Sequence, residues 1–173
     1  MKYLLSLSLM SLLLLTVATS SAQADKSKRP SPPALVTQKV GDATISIDYS
    51  QPSVKGRTIG KDLEPMDGKV WRTGANEATV FEINKDVKVE GKALAAGKYG
   101  LFTIVNGDEW TVIFNTKWAQ TGAFNYKEAD DALRVKVKGG KTKAFSEKMT
   151  FAINKSGKVS LMWGDRQVDF DVK

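Results

Sequence analysis

Residues 69–81 read KVWRTGANEATVF and gather Trp71, Arg72, Asn76 and Glu77 around Gly74. These side chains are suited to recognition: an indole face for stacking, a planar guanidinium fork for a carboxylate, sulfate or phosphate, an amide that donates and accepts, and a carboxylate. Lys55 and Arg57, in the upstream QPSVKGRTIG, add two cations. The six together suggest a site for a polar or anionic ligand such as a glycan, an acidic sugar or a peptide. The competing reading is structural: a lid held by an Arg–Glu pair, with Trp71 in the core, Asn76 as a turn residue and Gly56, Gly60 and Gly74 serving backbone bends. Catalysis on the same residues would use Glu77 as acid or base, paired with Asp48 or Asp62 as in glycan-acting hydrolases, or with Tyr49 or Tyr99 nearby.

The chain contains no histidine and no cysteine, which narrows this chemistry. The Ser-His-Asp and Cys-His nucleophile systems, ordinary zinc sites and haem attachment through cysteine are excluded. No cofactor and no metal site is expected. Glu128, Asp130 and Asp131 lack the ligand spacing and the glycine of a calcium loop, so they read as a solvated turn.

The elements that must position these residues are strands. LVTQKV and ATISIDYS flank a Gly41-Asp42 turn, with Ile45, Ile47 and Tyr49 on one face. Further strands are expected near 78–84, 86–90, 98–105, 109–115, 133–138, 147–154, 158–163 and 167–172. Turn signals separate them at Asn106-Gly107-Asp108, Gly139-Gly140, Ser156-Gly157 and Gly164-Asp165. No long stretch keeps a helical period, and YKEADDAL allows one short helical turn. The expected fold is an all-β antiparallel sandwich, jelly-roll-like, with long loops.

Two strands are apolar on both faces. In KYGLFTIV, Tyr99 and Leu101 oppose Phe102 and Ile104; in EWTVIF, Trp110, Val112 and Phe114 oppose Ile113. One face must meet a partner sheet and the other needs a lid, for which the irregular segments 51–77 and 116–131 are long enough. In ATVFEIN, Phe81 and Ile83 read as inward, and stepping back by two places Thr79 and Glu77 on the same side. Glu77 would then be an inward carboxylate needing Arg72, Arg57 or Lys55 to compensate it.

The combination YSQPSVKGRTIG, KVWRTGANEAT, ALAAGKYGLFTI, WTVIFN and DALRVKV resembles the secreted bacterial family called domain of unknown function 2911, from about Ser31 to the C-terminus. The resemblance implies an exported, Bacteroidetes-like all-β domain and carries no substrate, cofactor or mechanism.

Organisation follows from composition. The apolar run LLSLSLMSLLLLTVA after Lys2, ending in an A-x-A arrangement at Ala22 and Ala24, reads as a signal peptide over residues 1–24. The expected location is periplasmic or extracellular, with no lasting membrane anchor, since no cysteine follows to carry a lipid. The charged, proline-rich DKSKRPSPPA, residues 25–34, reads as an extended linker, and residues 35–173 as a single domain. The net charge of +7 favours acidic partners, while aromatic and basic residues do not interleave as a nucleic-acid platform requires. Arg134, Lys136, Lys138, Lys141, Lys143 and Lys148 form a basic hairpin that either binds a polyanion or merely solvates a strand. Asn154-Lys155-Ser156 matches a glycosylation sequon but sits in a turn.

Overall fold

The computed structural model describes residues 25–173; the segment expected to be a signal peptide lies outside them. Ten strands run β1 (Pro33–Val40), β2 (Ala43–Ser50), β3 (Val70–Trp71), β4 (Thr79–Ile83), β5 (Val87–Val89), β6 (Lys92–Leu94), β7 (Gly97–Asn106), β8 (Glu109–Asn115), β9 (Asp131–Ile153) and β10 (Lys158–Asp171). The fold is all-β. One antiparallel sheet has the order β1-β2-β4-β7-β8-β9-β10, with β3 added beside β7, and β5 and β6 form a second small sheet.

The large sheet curls because β9 is long enough to serve both halves. Its first part pairs with β8 and its later part with β10. Beyond the end of β2 the chain meets β9 again: Val54 N–H donates to Glu147 O and Met149 N–H to Pro52 O, both at 2.9 Å. The inner faces enclose one core, in which Phe81 of β4 lies edge-on to Phe114 of β8 at 5.0 Å and Phe170 of β10 packs against both. Tyr49 of β2 meets Phe151 of β9 at 5.0 Å across the same core.

The expected alternation holds in β2, where Ile45, Ile47 and Tyr49 are buried, and in the strands apolar on both faces. Tyr99, Leu101, Trp110, Val112 and Phe114 join the main core. Phe102 and Ile113 face outward into a small second cluster, covered by Ala78, Val70, Ala123 and Tyr126. The lid over the outer face is therefore mainly the segment 116–131. The segment 51–77 sends Val54, Ile59, Leu63 and Trp71 to the main core.

Three expectations change. Gly139-Gly140 is not a turn, since β9 runs straight through it. A Cβ on Gly139 would lie 2.5 Å from the Trp110 indole nitrogen, so this glycine makes room for packing. Gly164-Asp165 is a bulge within a continuous β10: Gly164 takes φ +63° and the register shifts on both sides of it. The basic hairpin is thus one stretch of β9. Residues 25–34 also depart from a tether. Lys26–Lys28 form a 3-10 turn capped by Asp25, and β1 starts at Pro33.

Candidate functional site

The stretch 71–79 is a knot of local bonds. The Trp71 indole enters the core, 2% exposed, and donates to Gly74 O at 3.0 Å. Thr73 is buried at φ +52°, an uncommon backbone for a β-branched residue. It is held there by Thr79 Oγ1, which donates to Thr73 O at 2.7 Å. A Cβ at Gly74 would approach Thr79 Oγ1 to 2.9 Å and Ser50 O to 3.2 Å, so Gly74 is required by crowding and not by a special φ. Asn76, at φ +56°, turns the chain and donates through Nδ2 to Ser31 O at 3.0 Å.

That turn corrects the expected orientation of Glu77. Inward alternation stops at Thr79, where β4 begins, and the Glu77 side chain stays 43% exposed. Its partner is neither Arg72 nor Arg57. Arg29 Nη1 donates to both carboxylate oxygens, at 3.0 and 2.8 Å, and Lys26 Nζ lies 3.3 Å away. Hydrogen bonding from Arg29, opposed by partial burial, holds the carboxyl at about 2 instead of 4.5.

The edge at 76–78 also receives the lid. Ala78 N–H donates to Gln120 O at 2.9 Å and Gly122 N–H to Asn76 O at 3.0 Å. Asn115, fully buried, ties down both ends of the lid: Nδ2 donates to Lys127 O and Asp131 Oδ1, and Oδ1 accepts from Lys117 N–H. Tyr126 OH donates to Asp131 Oδ2 at 2.6 Å, and burial together with that carboxylate raises its pKa. Gly100 lets the lid lie close, because a Cβ there would come within 3.4 Å of the Trp118 Cα.

Between lid and sheet lies a cleft of about 400 Å³, lined by Lys26, Asp48, Glu77, Trp118, Gln120 and Thr121 among others. The Trp118 ring is 41% exposed, with Lys98 Nζ 5.5 Å from its centroid. A smaller cavity of about 180 Å³ is lined by Ser31, Arg57, Glu64, Trp71, Arg72 and Trp163 among others. The six sequence-derived residues therefore divide. Glu77 faces the cleft; Arg57, Trp71 and Arg72 converge on the cavity. Asn76 braces the N-terminal segment, and exposed Lys55 lines neither, its backbone N–H bonded to Glu147 Oε1.

Of the groups considered for catalysis, Asp48 shares the cleft with Glu77, whereas Asp62 accepts from Thr58 N–H within its own turn. Tyr49 also lines this cleft, its hydroxyl accepting from Phe151 N–H, whereas Tyr99 does not, its hydroxyl donating to Ala95 O. Trp118 and Gln120 escaped the sequence reading; the available signal was a tryptophan in the polar loop TKWAQTG, away from any strand pattern. Among the described residues no three His, Cys, Asp or Glu side chains are grouped to hold a metal, and no helix is long and apolar enough to cross a membrane.

A family model described as a protein of unknown function (DUF2911) matches residues 31–172. No curated protein and no solved structure matches the chain.

Proposed function

Because the chain belongs to the DUF2911 family, whose description assigns no activity, we propose from the site itself that the domain is a non-catalytic binding module for a hydroxyl-rich, saccharide-type ligand of the cell envelope. The observation that carries this is the partly exposed Trp118 at a 400 Å³ cleft that sets apolar side chains, Pro33, Ala78, Val80 and Ala119, beside the polar groups of Asp48, Gln120 and Thr121. A cleft of that volume suits a small ligand. An indole face packs against the C–H face of a sugar ring, while Asp48, Gln120 and Thr121 supply acceptors and donors for hydroxyls. Lys26 and Arg29 offset the charge of Glu77, so the cleft favours a neutral polar ligand over a strongly charged one.

Glu77 is a poor acid or base for glycan cleavage. A general acid needs its pKa raised towards the working pH, and here Arg29 holds it at about 2 with both oxygens occupied. Export to the periplasm or the exterior, inferred from the N-terminal run, would place the domain beside such ligands.

Titration calorimetry with neutral envelope oligosaccharides tests the reading. Wild type should bind saturably, and Trp118→Ala should weaken binding at least tenfold, about 1.4 kcal/mol or more, without unfolding the domain. Equal affinity in the Trp118→Ala variant, or no saccharide bound by the wild type, would overturn it. Turnover of an oligosaccharide that disappears in Glu77→Gln would replace it with the hydrolase reading.

A further inference from the structure

We infer that the cavity beside β3 is a second, separate site, built for the carboxylate of a small monoanionic ligand and centred on Arg72 with Arg57 at its side. The geometry begins with Arg72. Its side chain is half-buried and its Nε is buried with no hydrogen-bond partner among the described residues. Guanidinium donors withdrawn from water call for acceptors, and a planar fork matches a carboxylate in particular. The charge acting most on Arg72 is the Glu64 carboxylate, but Glu64 Oε2 accepts from Met66 N–H at 2.7 Å. Arg57 spends Nε and Nη2 on the carbonyls of Val54 and Ser53, which fixes its orientation and leaves Nη1 for a ligand.

The walls narrow the ligand class. Both indole N–H groups are already used, Trp71 Nε1 on Gly74 O and Trp163 Nε1 on Glu64 O, at 3.0 and 2.9 Å. What the indoles offer the cavity is therefore ring surface, which shields charge from water and accommodates a short apolar body. Two arginines against one glutamate leave a single net positive charge. That balance favours a monoanion, whereas a dianion such as phosphate would place surplus negative charge beside Glu64. The volume of about 180 Å³ leaves room for a carboxylate and a few carbons.

This site is independent of the saccharide reading, because Trp118 does not line it. The test uses the full domain at matched ionic strength, titrated with acetate, butyrate, glucuronate and inorganic phosphate, and follows thermal midpoint and tryptophan fluorescence. Wild type should bind a carboxylate saturably and phosphate at least tenfold more weakly. Arg72→Lys, which keeps the charge and loses the fork, should weaken carboxylate binding at least tenfold. Arg57→Gln, at an exposed position, should weaken it severalfold and supplies a folded variant if Arg72 variants fail to fold. Trp118→Ala should leave it unchanged. No saturable carboxylate binding, equal binding by Arg72→Lys, preference for phosphate, or loss of binding in Trp118→Ala would each overturn the assignment.

Discussion

At Glu77 the carboxylate keeps 43% of its side chain in solvent while Arg29 and Lys26 occupy its oxygens. Breaking a fully buried pair typically costs about 3–5 kcal/mol, whereas solvent screening reduces an exposed pair to about 1 kcal/mol or less. Glu77→Gln should therefore lower unfolding free energy by about 1 kcal/mol, measured by urea denaturation at pH 7. The pH dependence has a definite sign. The folded-state pKa is depressed from 4.5 to about 2, so the contribution is complete above pH 4.5 and is lost as pH falls through about 2. The gap between wild type and Glu77→Gln should close over that window and shrink in high salt. A gap of 3–5 kcal/mol at pH 7 would instead mark a desolvated pair. The partner was not legible because Arg29 lies 48 positions away, in a segment whose prolines and charges read as a tether. Parity misled at the same place, since it assumes an unbroken strand and Asn76 breaks it with a positive φ.

The lid depends on a few anchors whose loss should separate its placement from the stability of the sheet. Asn115→Ala removes bonds to Lys127 O, Asp131 Oδ1 and Lys117 N–H and takes a donor from the Asp131 carboxylate, whose side chain is only 5% exposed. At roughly 1 kcal/mol for each bond, the expected loss is about 2–3 kcal/mol, with faster proteolytic nicking between residues 116 and 131. Nicking no faster than in wild type would show that the bridge to Asn76 and Ala78 holds the lid unaided. Gly100→Ala acts from below. Its Cβ would meet the Phe102 ring at 2.8 Å and Lys117 O at 3.3 Å, so Trp118 should shift outward and become more open to iodide quenching. Unchanged quenching would mean that the sheet, not the lid, absorbs the crowding. Most strands were legible from alternation, and so was the need for a lid, because apolar residues on both faces of β7 and β8 admit no other outcome. β3, of two residues, and β6, of three, carry too little pattern to read. The continuity of β9 and β10 was hidden because a glycine pair signals a turn by composition, while space for the Trp110 indole is a tertiary demand. The same limit applied to the site. KVWRTGANEATVF was the right stretch, but which of its side chains reach a cavity depends on partners from the N-terminal segment and the lid.

The whole molecule has neither histidine nor cysteine, so apart from the α-amino group nothing with an ordinary pKa titrates between about pH 6 and 8. Unfolding free energy should therefore be nearly flat from about pH 6 to 9. Two limbs bound this plateau. In acid, Glu77 loses its ion pair, and neutralising 19 Asp and Glu leaves 26 Lys and Arg to repel one another. In alkali, Tyr99 and Tyr126 have folded pKa values raised chiefly by burial, with Asp131 adding to the shift at Tyr126. A raised pKa stabilises below the unfolded tyrosine value of about 10 and is lost as pH climbs through the folded one, so decline should begin only above about pH 10. Charge removal on the exposed face of β9 is a separate matter. Lys138, Lys141 and Lys143 stand in solvent, and converting all three to Gln should move stability by no more than about 0.5 kcal/mol per site while lowering any salt-sensitive adsorption to polyanions. Urea midpoints at pH 6, 7.5 and 9 test the plateau. A slope between them would mean that folding draws some group into the neutral range, against a composition with no histidine or cysteine to supply one. Level midpoints would agree with a guanidinium at Arg72 that stays ionised throughout, as an arginine facing the Glu64 carboxylate should, and that is therefore available to a carboxylate ligand across the whole plateau.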